Sequence, residues 1–291
     1  MKNEEAKHKN TMTDMIPSRI IDFHVHLFPD RMFDAIWNYF SKGYKWDVIY
    51  RMYYRECISY LRERGVEKIV YSNYAHRKGI AADLNEWNLN VLNANPDLYC
   101  FAAYHPDDEN AMTMADKVLA HPRVLGFKLQ LLVQCFYPHD KRLFPMYDMV
   151  MERGKRILFH VGTGPVGNNF VGLAEFKKLL DRYPDIPANV AHMGAYEYRG
   201  FMDLLDDYPR LYLDTAFSFF REFQGKGGFD LGNDALEQHR DRILYGSDFP
   251  NLILPRESEI DTLAGYGLTK DFYDRVFYQN AKGLIDSIVN C

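Results

Sequence analysis

From Ile20 onward the chain alternates short apolar runs with longer stretches in which apolar residues recur every third or fourth position. The runs predict strands at Ile20–His26, Glu67–Ser72, Leu98–Tyr104, Val124–Leu131, Ile157–Val161, Ile186–His192, Leu211–Asp214 and Ile243–Ser247. The stretches predict helices at Ala82–Asn95, Ala111–Leu119, Phe144–Arg153, Leu173–Tyr183 and Tyr198–Tyr208, with stop signals at Gly65, Pro96 and Gly154. Residues 27–64 exceed an ordinary strand-to-helix loop, so part of this segment is expected to fold as a helical lid after the first strand. Lys270–Val289 reads as a helical pair on an outer wall. Residues 1–16 are polar and aperiodic and read as a disordered tail, which leaves 17–291 as one domain.

Strands covered on both faces lose polar alternation, and eight of them separated by helices predict an α/β fold, a closed parallel (β/α)8 TIM barrel. An open doubly wound sheet is the rival. It fits less well, because no GxGxxG follows the first strand and such a sheet would not gather the ends of strands one, five, six and eight.

Composition narrows the function classes. Of 291 residues 47% are hydrophobic and 26% charged, with net charge -5; basic residues are mixed with acids throughout, which excludes a nucleic-acid surface. No run approaches the roughly 20 apolar residues of a membrane span, and the first residues lack the apolar core of a secretory signal. Cys57, Cys100, Cys135 and Cys291 form no CxxC pair and read as free thiols, so a cytoplasmic location is expected.

The chemistry lies at the predicted strand ends. On a strand, side chains two apart share a face, so His24 and His26 point the same way and suit one divalent ion. Lys128, His160, His192, Asp214 and Asp248 fall at the ends of strands four to eight, and a barrel gathers all of these at one mouth. Tyr74, His76, Tyr104, His105, Tyr196, Glu197, Arg221 and Asn251 are candidates for substrate contact around it. The turn Gly162–Pro165 and the stretch Gly225–Gly228 read as flexible segments near the mouth; the first lacks the Lys-Ser/Thr of a P-loop.

Asp-Phe-His-Val-His at 22–26, Leu-Phe-His-Val-Gly at His160, Ala-His-Met-Gly at His192, Leu-Tyr-Leu-Asp-Thr at Asp214 and Leu-Tyr-Gly-Ser-Asp-Phe-Pro at Asp248 resemble the amidohydrolase superfamily. The similar branch is the "amidohydrolase 2" group of decarboxylases and lactone hydrolases, which includes aminocarboxymuconate semialdehyde decarboxylase. The resemblance implies that His24, His26, His160 and Asp248 hold one metal, zinc before manganese or another divalent ion. It implies that His192 is a catalytic acid or base beside the metal, or else a ligand of a second ion, and that the chain forms a homodimer, as barrels of this branch commonly do; Asp248 is expected to be catalytic too, since a carboxylate at a metal also accepts a proton from bound water. Lys128 is either a carboxylated bridge between two ions or a contact for a substrate anion, and the second is preferred because a long-stemmed ammonium suits a carboxylate. Asp214 is expected to orient a ligand histidine, and Lys128, Tyr196, Arg221 and Asn251 to touch substrate. The expected activity is metal-dependent hydrolysis of an ester, lactone or amide in a small carboxylate-bearing substrate. Non-oxidative decarboxylation of a small aromatic or unsaturated acid is the alternative. A non-enzymatic barrel with a structural metal is a third reading, weakened because structural zinc usually takes cysteines.

Overall fold

Short, β-branched and aromatic runs with no polar face pair most readily side by side in a parallel sheet, where helices cover what the strands leave apolar. A computed structural model of the chain describes residues 15–223 and 229–290. Its eight strands are β1 (Ile20–His26), β2 (Val66–Ser72), β3 (Leu98–Ala103), β4 (Val124–Gln130), β5 (Arg156–His160), β6 (Ala188–Val190), β7 (Leu211–Asp214) and β8 (Ile243–Leu244), paired in sequence order. Every pairing is parallel. Residues just after β8 bring the ring back to β1: Phe23 N–H donates to Tyr245 O (2.9 Å), Asp248 N–H to His24 O (2.8 Å) and His26 N–H to Phe249 O (2.7 Å). The barrel is thus nearly closed by ordinary strands and completed by an irregular one.

The barrel interior is stratified. Ile21, Phe23, Phe101, Leu125, Leu158 and Leu244 form an apolar layer with Ala281, Leu284, Ile285 and Ile288 of the last helix. That helix, Asn280–Val289, therefore closes the end of the barrel opposite the mouth where the strands end, which corrects its expected place on the outer wall. The reason is that its apolar side matches interior residues, not the helix-facing sides of strands. A register irregularity between Asp22 and Val25 lets Phe23 join the apolar layer while His24 and His26 lie above it.

The predicted helices form with ends shifted by about one residue. The segment between β1 and β2 contains helices Asp30–Tyr39 and Tyr54–Glu63, joined through a π turn at Phe40–Tyr44. Phe33, Trp37 and Val48 of this segment pack with Phe28, Ala81 and Leu84 in a core of their own. Burial of these side chains fixes the segment to the barrel. Of the expected tail, residues 1–14 lie outside the described residues, whereas Met15 and Ile16 pack on the main core. Residues 224–228, which hold the whole Gly225–Gly228 stretch, also lie outside.

Candidate metal centre and cavity

His24 and His26 leave β1 facing the mouth, and the chain after β8 returns Asp248 to them in a left-handed backbone conformation (φ 60°). Gly246 makes that approach feasible: a Cβ there would stand 2.6 Å from the Cβ of His24. His24 Nε2 lies 3.3 Å from His26 Nε2 and 3.4 Å from Asp248 Oδ1, and His26 Nε2 lies 2.9 Å from Asp248 Oδ1. Two atoms about 2.0–2.1 Å from a common ion at a tetrahedral angle are themselves about 3.3 Å apart. The three donors are therefore spaced as ligands of one small divalent cation are spaced.

The tautomer of His24 strengthens the fit. Its Nδ1–H donates to Asp214 Oδ2 at 2.9 Å, so Nε2 carries a lone pair directed at the other two donors. Asp214 is itself fixed: Oδ1 accepts from His192 N–H (2.9 Å) and Ala216 N–H (3.3 Å). Burial raises the Asp214 carboxyl to about 6, against the pull of His192 and Lys128. Burial also pushes His24 well below the usual imidazole range, helped by the Lys128 ammonium, so this buried pair is a neutral imidazole hydrogen-bonded to a carboxylate. For Asp248 burial acts to raise the carboxyl, but His26, His192 and His24 outweigh it and hold the group well below the usual carboxylate range.

His192 is not at a strand end as expected. β6 stops at Val190, and His192 follows in left-handed backbone (φ 58°) that continues through Met193 and Gly194. The strand stops because the chain must turn sharply to place the ring beside His24 (ring centres 5.1 Å) and His160 (4.9 Å). His192 Nδ1–H donates to Ala216 O at 3.0 Å, which leaves Nε2 as its one free nitrogen. His24, His192 and Asp214 form a second group whose ligand atoms lie within 4.8 Å, next to the first group of His24, His26 and Asp248.

His160 ends β5 as expected and lines the cavity, but it stands outside both groups. Its Nε2–H donates to Gly164 O at 3.0 Å, and burial pushes its pKa well below the usual range. Lys128 lies two residues before the end of β4, fully buried, with no hydrogen-bond partner for Nζ; burial lowers its pKa to about 8. It is absent from the cavity lining, so it does not reach substrate space from where it sits.

The cavity beside these groups has a volume of about 1110 Å³. Tyr74, His76, Tyr196 and Asn251 line it, as expected. Arg221 does not: it is exposed and borders a separate depression with Asp230 and Tyr266, because the preceding Phe219 and Phe220 turn inward and send the next residue out. Tyr104, His105 and Glu197 are likewise engaged elsewhere: the Tyr104 hydroxyl donates to Met112 Sδ, His105 Nδ1 accepts from Asp107 N–H, and Glu197 accepts from Leu173 N–H. Apart from Tyr74, sequence reasoning missed the aromatic walls. Phe28 and Tyr74 meet the His26 ring on one side (6.1 and 6.3 Å), and Phe217 meets the His192 ring on the other (6.1 Å) and stacks on Trp46 (5.5 Å). The signal available was the aromatic density of residues 36–54, which length alone marked as unusual.

Among solved structures the chain is similar to an uncharacterized TIM-barrel protein of Bordetella bronchiseptica, with 16% identity over 93% of this chain and 99% of that one and a TM-score of 0.72. It is similar to a 5-carboxyvanillate decarboxylase of Novosphingobium aromaticivorans, solved with manganese and 4-hydroxy-3-methoxy-5-nitrobenzoic acid (13% identity, 92% and 96% coverage, TM-score 0.59). It is also similar to the IDCase of Metarhizium anisopliae (12%, 92% and 97%, TM-score 0.65). At these identities the likeness establishes the barrel alone. No curated protein matches the sequence. The amidohydrolase family matches residues 21–286, nearly the whole barrel, and with the histidines and aspartate already in place around one point this chain belongs to that family of enzymes.

Proposed function

We propose that the protein is a divalent-metal hydrolase that opens an ester, lactone or amide bond in a small carboxylate-bearing substrate. The observation that carries this reading is the convergence of His24 Nε2, His26 Nε2 and Asp248 Oδ1 on one point beside a largely apolar cavity. A divalent ion held there supplies Lewis-acid polarisation of a carbonyl and acidifies water. The chain's own groups do the rest. Asp248, surrounded by three imidazoles, is kept anionic and accepts the proton of an attacking water. His192, anchored through Nδ1–H to Ala216 O, exchanges a proton with the leaving group at Nε2. Asp214 holds His24 in the tautomer that binds. A nitrogen-rich donor set favours one zinc ion, with manganese or another divalent ion as the alternative. His160 is the fourth ligand once its Nε2 leaves Gly164 O.

Decarboxylation of an aromatic acid is the second reading, supported by the rings of Phe28, Tyr74, Phe217 and Trp46 beside the metal donors, which suit a planar substrate. The shared fold with a 5-carboxyvanillate decarboxylase supports it too. Asn251 and Tyr196, both in the lining, are the proposed polar contacts to substrate. The free thiols of Cys57, Cys100 and Cys135 suit a reducing cytoplasm, and among the described residues no helix is long and apolar enough to cross a membrane. The implied homodimer is tested by light scattering.

The deciding experiment offers chelator-treated protein, with and without added zinc or manganese, a panel of aryl esters, lactones and hydroxybenzoates. Metal-dependent acid release without carbon dioxide is the expected result. Carbon dioxide as the only product replaces the hydrolase with the lyase, and turnover indifferent to metal removal overturns both.

A further inference from the structure

The cavity is larger than the proposed chemistry on a single-ring acid requires. A molecule of about ten heavy atoms, each given the roughly 30 Å³ of a water in the liquid, occupies less than about a third of 1110 Å³. Ordinary small-molecule sites span about 300–1,000 Å³. The extra room is apolar. From His26 the wall runs through the Phe28 and Tyr74 rings, 5.5 Å apart, to Met32, Ile36, Ile80 and Leu84. These residues belong to the satellite core that the β1–β2 segment makes with the helix after β2, so the bay is a built part of the fold.

Two cations stand on this bay. Arg31 projects from the helix Asp30–Tyr39 and Arg77 from the turn after β2; both line the cavity and both are exposed. Neither makes a hydrogen bond, ion pair or ring contact among the described residues. Some other arginines of this chain are paired with carboxylates: Arg62 with Asp97, Arg142 with Asp107 and Asp140, Arg275 with Asp241 and Asp271. Apart from the site's own Asp248, Asp83 is the acidic group in the lining, and among the described residues it makes no ion pair with either arginine. A guanidinium fork is suited to a carboxylate or sulfonate, and an unpaired pair beside an apolar bay selects a ligand that is greasy in the middle and anionic at the end.

Resting on the metal-site reading above, we propose that the substrate is an elongated amphipathic acid. Its reacting carbonyl sits at His24, His26 and Asp248, its apolar body of a second ring or a medium acyl chain fills the Phe28–Leu84 bay, and a distal carboxylate is held by Arg31 and Arg77. Hydrolysis then adds water across the reacting acyl bond and leaves the distal carboxylate unchanged, so a diacid or a hydroxy acid is released.

The test compares initial rates of the zinc-loaded enzyme on mono-4-nitrophenyl esters of butanedioic, octanedioic and dodecanedioic acids with those on the neutral 4-nitrophenyl butanoate, octanoate and dodecanoate. The octanedioate half-ester should exceed the octanoate ester about tenfold in kcat/KM, mostly through KM, and the butanedioate half-ester should gain little over its neutral partner. In Arg31→Ala/Arg77→Ala the octanedioate preference should fall to near one, and the double lysine variant should restore part of it. Both sites are exposed, so folding is not at stake; circular dichroism checks it. Binding of unreactive octanedioate, measured by calorimetry, separates this inference from the hydrolase reading. Binding that is lost in the double alanine variant upholds the amphipathic-acid inference even if no ester is cleaved. Equal non-zero rates on charged and neutral esters, no binding of octanedioate, or a preference or binding untouched by the double variant overturns it.

Discussion

Replacing Asp214 by Asn changes one atom and tests the logic of the whole site. Asp214 Oδ1 accepts two backbone N–H groups, from His192 and Ala216, and Oδ2 accepts Nδ1–H of His24. An amide must present its oxygen to the two N–H groups, because the opposite orientation sets NH₂ against both. Its NH₂ then faces His24 Nδ1 at the 2.9 Å formerly spanned by N–H···O⁻. To avoid a donor–donor clash His24 shifts its proton to Nε2, the atom that lies among His26 and Asp248. The metal site loses a lone pair, and affinity for zinc should fall about 10–100-fold, or about 1.4–2.7 kcal/mol. Folding should change less, since both backbone N–H groups keep a partner. Asp214→Ala leaves those two donors and the imidazole unsatisfied, and should cost about 2–6 kcal/mol of stability at about 1–3 kcal/mol for each orphaned backbone group. Zinc titration of chelator-treated protein by calorimetry, together with urea unfolding of both variants, measures the two quantities separately. Unchanged zinc affinity in the Asn variant, or equal destabilisation by Asn and Ala, would refute the reasoning.

Three other outcomes follow from the same geometry. Asp248→Asn removes the anion among three imidazoles, and turnover of the best substrate should drop at least about 10²-fold with the melting temperature within a few degrees of wild type; an active variant sinks the proton-acceptor role. Gly126→Ala should abolish soluble expression or lower the melting temperature sharply, because φ is +147° and a Cβ would lie 1.6 Å from Arg156 O in the neighbouring strand, a contact that no rotamer relieves. Lys128→Met removes a fully buried ammonium with no partner. Its folded-state pKa, about 8, is below the usual 10.5, so the unfolded chain holds more protons between those values and wild-type stability rises with pH across that window. The variant's advantage in chelator-treated protein should therefore be greatest at pH 7, up to about 3 kcal/mol, and shrink towards pH 10. A constant difference from pH 7 to 10 in urea unfolding contradicts this.

The order of strands and helices, the parallel barrel and the strand-end positions of His26, His160 and Asp214 were legible from the sequence, because periodicity and stop residues are local properties of the chain. His24 and His26 were legible as a pair for the same reason: two-residue spacing on a strand puts them on one face whatever the rest of the molecule does. Three things depended on tertiary structure. The first is the path of the chain beyond β6 and β8, where His192 and Asp248 occupy left-handed backbone that no strand pattern encodes and that only the crowded floor of the mouth imposes. The second is the split between what faces the cavity and what does not: Lys128 lies beneath it and Arg221 away from it, although the local pattern reads both as polar residues near the mouth. The third is the bay beside the metal donors, which exists because Leu84 of the helix after β2 is buried in one cluster with Phe28 and Trp37 of the β1–β2 segment, with Arg31 and Arg77 on the same cavity. Burial and approach distance are sums over neighbours from the whole chain, so a local pattern can name the donors of a site but not the shape of the space in front of them.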